Sequence, residues 1–154
     1  MTSDLYDFWA SYLAEREKRR QRLPYIKHLV IDQLCCHAIA RVSVEYDGEG
    51  DSGQIGTISA IDANGKDVDL ASSLKPMSEA DDQALAQLLT MHAQENTVLG
   101  LIDAFTWLLL DAYHDGFVNN DGGFGELTID VGAATVTLDH NDRYVEVDPT
   151  TTEI

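Results

Sequence analysis

The stretch that decides the fold is Arg41-Val42-Ser43-Val44-Glu45-Tyr46, followed at once by Asp47-Gly48-Glu49-Gly50-Asp51-Ser52-Gly53. Val42, Val44 and Tyr46 alternate with Arg41, Ser43 and Glu45, which is the two-residue period of a strand with one buried face. Upstream the period is helical. Leu5, Phe8, Trp9, Tyr12 and Leu13 recur at three- and four-residue spacing; Ser3 can cap that helix, and Asp4 and Asp7 meet its positive end. Arg16, Lys18, Arg19, Arg20 and Arg22 load the negative end. Pro24 then fits the first turn of a second helix, carried to about Ala40 by Ile26, Leu29, Val30 and Leu34. Residues 1–40 are therefore expected as a helical pair. Cys35 and Cys36, the only cysteines, are expected as buried helical thiols. A disulfide between adjacent residues is strained, and two cysteines make no framework.

Downstream, Gln54–Ile61 reads as a second strand, Asp62-Ala63-Asn64-Gly65 as a turn with Asn-Gly chemistry, and Val68 and Leu70 as a short third strand. Ser78 caps a helix built on Leu85, Leu88 and Leu89, with a break near Asn96-Thr97. Leu99 to Tyr113 is apolar nearly all round, so that helix belongs at the centre of the fold. A second glycine-acid loop, Asn119-Asn120-Asp121-Gly122-Gly123-Phe124-Gly125-Glu126, leads into a hairpin on Leu127, Ile129, Val136 and Leu138, turning at Gly132-Ala133-Ala134. Tyr144 to Val147 adds a further edge strand, and residues 149–154 are a tail. The expected fold is a single α+β domain over 1–154, with the sheet and central helix in 41–148. Two hairpins and the edge strand form an antiparallel sheet covered by helices, preceded by an N-terminal helical hairpin.

A chain of 154 residues suits one domain, and 44% hydrophobic content excludes wholesale disorder. The apolar run Val98–Leu110 is shorter than the roughly 20 residues that cross a bilayer. The N-terminus shows no basic start of a secretory signal. A cytoplasmic protein with no membrane partner is expected. Charge is more telling. Residues 1–40 carry six Lys/Arg against five Asp/Glu, a net of +1, whereas residues 41–154 carry four against 22, a net of −18. From Pro76 to Asp142 twelve acids occur without one Lys or Arg. That field repels nucleic acid and attracts basic surfaces or cations, and it also suits a merely solubilising surface.

Seven of the 11 glycines, counting Gly116, lie in or beside the two glycine-acid loops. Candidate cation ligands there are Asp47, Glu49, Asp51, Asp121 and Glu126. Neither loop has the helix–loop–helix calcium spacing, which wants glycine sixth and glutamate twelfth: counted from Asp47 these are Ser52 and Ile58, and counted from Asn119 they are Phe124 and Asp130. A polar surface of Asp47, Asp51, His114, Asn119, Asn120, Asp121 and Glu126, which His140 can join, is the candidate functional region. No zinc spacing, phosphate-binding loop or serine-nucleophile context accompanies it, and no cofactor is expected.

The strings Tyr46-Asp47-Gly48-x-Gly50-Asp51-Ser52-Gly53-x-Ile55 and His114-x-Gly116-Phe117-x-Asn119-Asn120-Asp121-Gly122-Gly123-Phe124-Gly125-Glu126, with Asn141-x-Arg143 downstream, resemble an uncharacterised bacterial family of unknown function. The resemblance covers roughly 41–148, implies kinship with proteins of proteobacterial genomes, phages and mobile elements, and implies no activity. The leading expectation is a non-enzymatic acidic protein-binding or regulatory module acting on a basic protein surface, not on nucleic acid itself. One alternative is an enzyme or cation-dependent domain using the acidic loops. The other is a structural subunit that oligomerises through its N-terminal helix.

Overall fold

In the computed structural model the described residues are 2–49, 52–114, 122–144 and 147–154, with backbone alone for 2, 3, 49 and 52. Among these described residues three helices, α1 (Thr2–Cys36), α2 (Glu79–Met91) and α3 (Val98–Tyr113), accompany four strands, β1 (Arg41–Glu49), β2 (Ser52–Ile61), β3 (Gly123–Asp130) and β4 (Thr135–Asp142). The strands form one sheet in the order β2-β1-β3-β4, and every neighbouring pair is antiparallel. The α+β class is as expected. The sheet turns one face to the helices: Val42, Val44, Leu127 and Ile129 join Leu29, Leu34, Leu101 and Phe105 in one buried cluster.

Helix α1 corrects the expected helical hairpin. It runs unbroken for 35 residues with Pro24 inside it. An interior proline removes one backbone donor and crowds the carbonyl four residues earlier, at a cost of about 3 kcal/mol. Leu23 and Ile26, 5% and 6% exposed on either side, hold both halves on the body. The helix begins at Thr2, so Ser3 lies inside it rather than capping it, and it ends at Cys36, short of Ala40. Ala38 takes a positive φ of 58° there, and Ile39 N–H donates to the Leu34 carbonyl at 3.0 Å, which is the left-handed cap that glycine usually fills. Cys35 and Cys36 are exposed rather than buried. Gln33 and Leu34 take the inward positions of that last turn.

The N-caps of α2 and α3 are where local sequence places them. Ser78 accepts from Asp81 N–H at 3.2 Å and Thr97 from Gly100 N–H at 3.0 Å. At the Asn64-Gly65 turn, Asp62 Oδ1 accepts from Asn64 and Lys66 N–H, and Gly65 has φ 79°. No strand forms at Val68–Leu70. One bridge, Ile61↔Asp67, precedes a segment that crosses to α3, where Leu99 N–H donates to the Leu70 carbonyl at 2.9 Å. Burying Leu70 against the helices competes with continuing the hairpin. The edge strand expected over Tyr144–Val147 falls partly outside the described residues, and Tyr144 itself is not in a strand.

A carboxylate row and a histidine lock on two faces of one sheet

Alternation along β1 and the register of its neighbours build the outer face. Glu45 lies opposite Glu126 on β3, and Glu126 opposite Asp139 on β4, so three carboxylates stand in one row across three strands. All three residues are exposed. Strands lie about 4.8 Å apart, so the row spans roughly 10 Å. It borders a shallow concavity of about 450 Å³ whose lining also includes Asp47, Gln54 and Thr57. Ser43 donates a short hydrogen bond to Glu126. Among the described residues no basic side chain forms an ion pair with the row. Like charges placed directly opposite one another destabilise a sheet.

The two glycine-acid segments meet at one end of this face, since Asp47 pairs with Phe124 and Gly48 with Gly123. Their described residues are strand but for Gly122: β1 continues to Glu49, β2 begins at Ser52 and β3 at Gly123. Arg143 stitches them. Its Nη1 and Nη2 donate to Asp47 Oδ1 and Oδ2 at 2.8 and 3.1 Å, Nη1 also reaches the Gly48 carbonyl at 3.1 Å, and the guanidinium stands 4.8 Å over the Phe124 ring. The Arg143 hydrogen bonds hold the Asp47 carboxyl below its ordinary value. Asp47 thus serves Arg143.

On the inner side, Tyr46, Gly125 and His140 share the row one residue away. Tyr46 is 3% exposed, and burial first, then the charges of Asp139 and Asp142, push its phenol up to about 12. It therefore stays protonated and donates to His140 Nδ1 at 2.7 Å. With Nδ1 accepting, Nε2 carries a ring proton and donates to Asp142 Oδ1 at 2.8 Å. The His114 ring stacks on His140 with centroids 3.8 Å apart. Burial, then the neighbouring His140, keep His114 below its ordinary value. Gly125 makes this possible: a Cβ there would stand 2.0 Å from the Asp139 carbonyl and 2.5 Å from the Tyr46 hydroxyl. A Cβ at Gly123 would stand 2.8 Å from His140 Cε1. With the His140 side chain 3% exposed, these polar atoms face one another and lock β1, β3 and β4 behind the acidic face.

The candidate residues from sequence therefore separate. Asp47 and Glu126 share the outer face, while His114 caps α3 on the inner side. Glu49 ends β1 with its side chain outside the described set, and Asp51, Asn119, Asn120 and Asp121 lie outside the described residues. Among the described residues no three His, Cys, Asp or Glu side chains are grouped to hold a metal ion. Sequence reasoning missed Glu45, Asp139, Tyr46 and the clamp by Arg143. Alternation marks Glu45 and Asp139 as outward, but only strand register aligns them.

Comparison with known proteins matches residues 23–154 to a family of unknown function, DUF6878, and the chain belongs to that family. No curated protein and no solved structure matches it. The match begins at Leu23, where α1 passes from exposed to buried. Among the described residues no helix is long and apolar enough to cross a membrane.

Proposed function

We propose that this member of a family of unknown function is a non-enzymatic acidic protein-binding or regulatory module, whose uncovered sheet face engages a basic surface of a partner protein. The observation that carries this reading is the in-register row Glu45–Glu126–Asp139. A sheet stabilised for its own sake would not align three carboxylates. Local rules broken in this way concentrate at functional positions. A partner bearing Lys or Arg at matching spacing would relieve the repulsion on binding. The long-range field supports the same partner, since the 67 residues from Pro76 to Asp142 contain no Lys or Arg. A protein surface that otherwise holds nucleic acid has the required charge. The Tyr46–His140–Asp142 array, the nearest approach to catalytic chemistry among the described residues, spends its polar atoms on internal hydrogen bonds.

The test uses the variant Glu45→Gln/Glu126→Gln/Asp139→Asn. A basic partner captured from the native host should associate more slowly with wild type as salt rises past the point where the Debye length falls below about 8 Å. The variant should lose that association while melting no lower than wild type. A partner that binds the variant as fast as wild type, or whose rate ignores salt, refutes the proposal.

A further inference from the structure

Residues 4–22 of α1 are exposed, Arg16 alone being half-buried, and they lie outside the family match. They nevertheless carry an apolar stripe. Leu5, Tyr6, Phe8, Trp9, Tyr12 and Leu13 are between 40% and 74% exposed. Leu23 follows Leu5 by 18 residues, about five turns, so the stripe continues in line with the buried face of the same helix. The aromatic rings are already ordered along it: Phe8 meets Trp9 edge-on with centroids 5.9 Å apart, and Trp9 meets Tyr12 at 5.8 Å. The base of the arm is anchored. Arg20 Nε and Nη2 donate to the Ala112 carbonyl at 3.1 and 2.9 Å, capping the C-terminal end of α3.

The geometry points to a second copy of this chain as the occupant of the stripe, with the two arms antiparallel. Area and charge both favour it. Covering these six side chains at their present exposure removes on the order of 600–800 Å² per copy, close to the roughly 800 Å² per partner of a specific interface. The tip, residues 2–13, holds two acids and no base, while residues 14–22 hold five Lys/Arg against two Glu. Antiparallel arms set the acidic tip of each copy against the basic base of the other. Parallel arms would set like charge on like charge. The antiparallel arrangement also places the two acidic bodies at opposite ends of arms roughly 28 Å long, well beyond the Debye length of about 8 Å. A crossing near Ser11 lays Trp9 against Leu13 of the second copy. An anionic lipid surface fits less well, because the tip is acidic and the whole chain carries a charge of −17.

Sedimentation velocity on the full chain tests this, with circular dichroism and melting as controls for folding. Wild type is expected to form a dimer. Leu5→Glu/Trp9→Glu should sediment as a monomer with an unchanged melting transition of the body, because both residues lie outside the core. Asp4→Lys/Asp7→Lys, which makes the tip basic, and Lys18→Glu/Arg22→Glu, which makes the base acidic, should each raise the dissociation constant about tenfold through the field between tip and base. Combining the two reversals should restore the wild-type value. A wild-type chain that stays monomeric at the highest soluble concentration overturns the inference. So does a dimer that survives Leu5→Glu/Trp9→Glu, or a monomer whose arm binds lipid vesicles. Failure of the double reversal to restore affinity overturns the antiparallel orientation.

Discussion

Val44, Leu127 and Leu138 form one row of the sheet, and the next residue along or back on each strand forms the row Glu45–Glu126–Asp139 on the other face. One step along the chain separates the two environments. Val44 and Leu127 are 0% exposed, and burying side chains of this size contributes about 1.5–3 kcal/mol each. Each like-charge neighbour on the outer row costs at most about 1 kcal/mol. The inner row therefore decides the register, because a one-residue slip would carry every apolar side chain into water and every carboxylate into the core. The outer face is therefore free to carry a pattern that opposes stability. That freedom is what the proposed binding role uses.

The largest effect should come from the inner side. Phe105 is 1% exposed in the main cluster, and Phe105→Ala should cost about 3–5 kcal/mol, enough to unfold a marginal domain. A melting temperature within a degree or two of wild type would show that the inner face does not hold the fold.

Next is the seam between the faces. Gly125→Ala puts a methyl group against the Asp139 backbone carbonyl and the Tyr46 hydroxyl, and backbone cannot give way as a flexible side chain can. A loss of about 1–3 kcal/mol is expected, read by denaturant unfolding. A neutral result would mean that β3 and β4 slide apart without cost, and the lock would lose its structural role.

The histidine pair ties the stability of the inner face to pH. His114 is held below its ordinary 6.5, chiefly by burial and then by His140, against the opposing pull of Asp142. The unfolded chain then binds the proton more readily than the folded chain. This contribution to stability is complete above about 6.5 and is lost as pH falls through the lower folded value. His37 and His92, also lowered by burial, act in the same sense. The melting temperature should fall on acidification through this window, and His114→Asn should reduce the slope without removing it. An unchanged slope would assign the effect elsewhere. The smallest shift, and the only one of opposite sign, belongs to the neutralised carboxylate row, whose melting point should hold or rise slightly.

Much of the fold was legible because its signals are local. Ser78 and Thr97 cap helices whose apolar spacing announces them, and the alternation of Val42, Val44 and Tyr46 gives β1 its buried face. The site was legible only in part. Asp47 and Glu126 stood out as acids beside glycines, yet the same composition suggested loops where strands pair. The glycines at 123 and 125 serve close packing by His140 and Tyr46, a demand made by side chains far away in sequence. Cys35 and Cys36 were misplaced because helical phase at a final turn depends on how that turn is docked.

By itself, then, the sequence determined the local choices: helix or strand, cap, turn, and the separation of a basic start from an acidic remainder. These depend on neighbours a few residues apart. Tertiary structure alone decided three things. Burial of Leu23 and Ile26 carried α1 through Pro24, because packing on both sides outweighs one lost hydrogen bond. Pairing of β1 with β3 aligned the carboxylates and brought Asp47 to Arg143, because register follows from the buried rows and not from the exposed residues themselves. The body buries α1 from Leu23 onward and leaves the aromatic stripe before it exposed, because which part of an apolar helix face is covered depends on where the elements packed on it end.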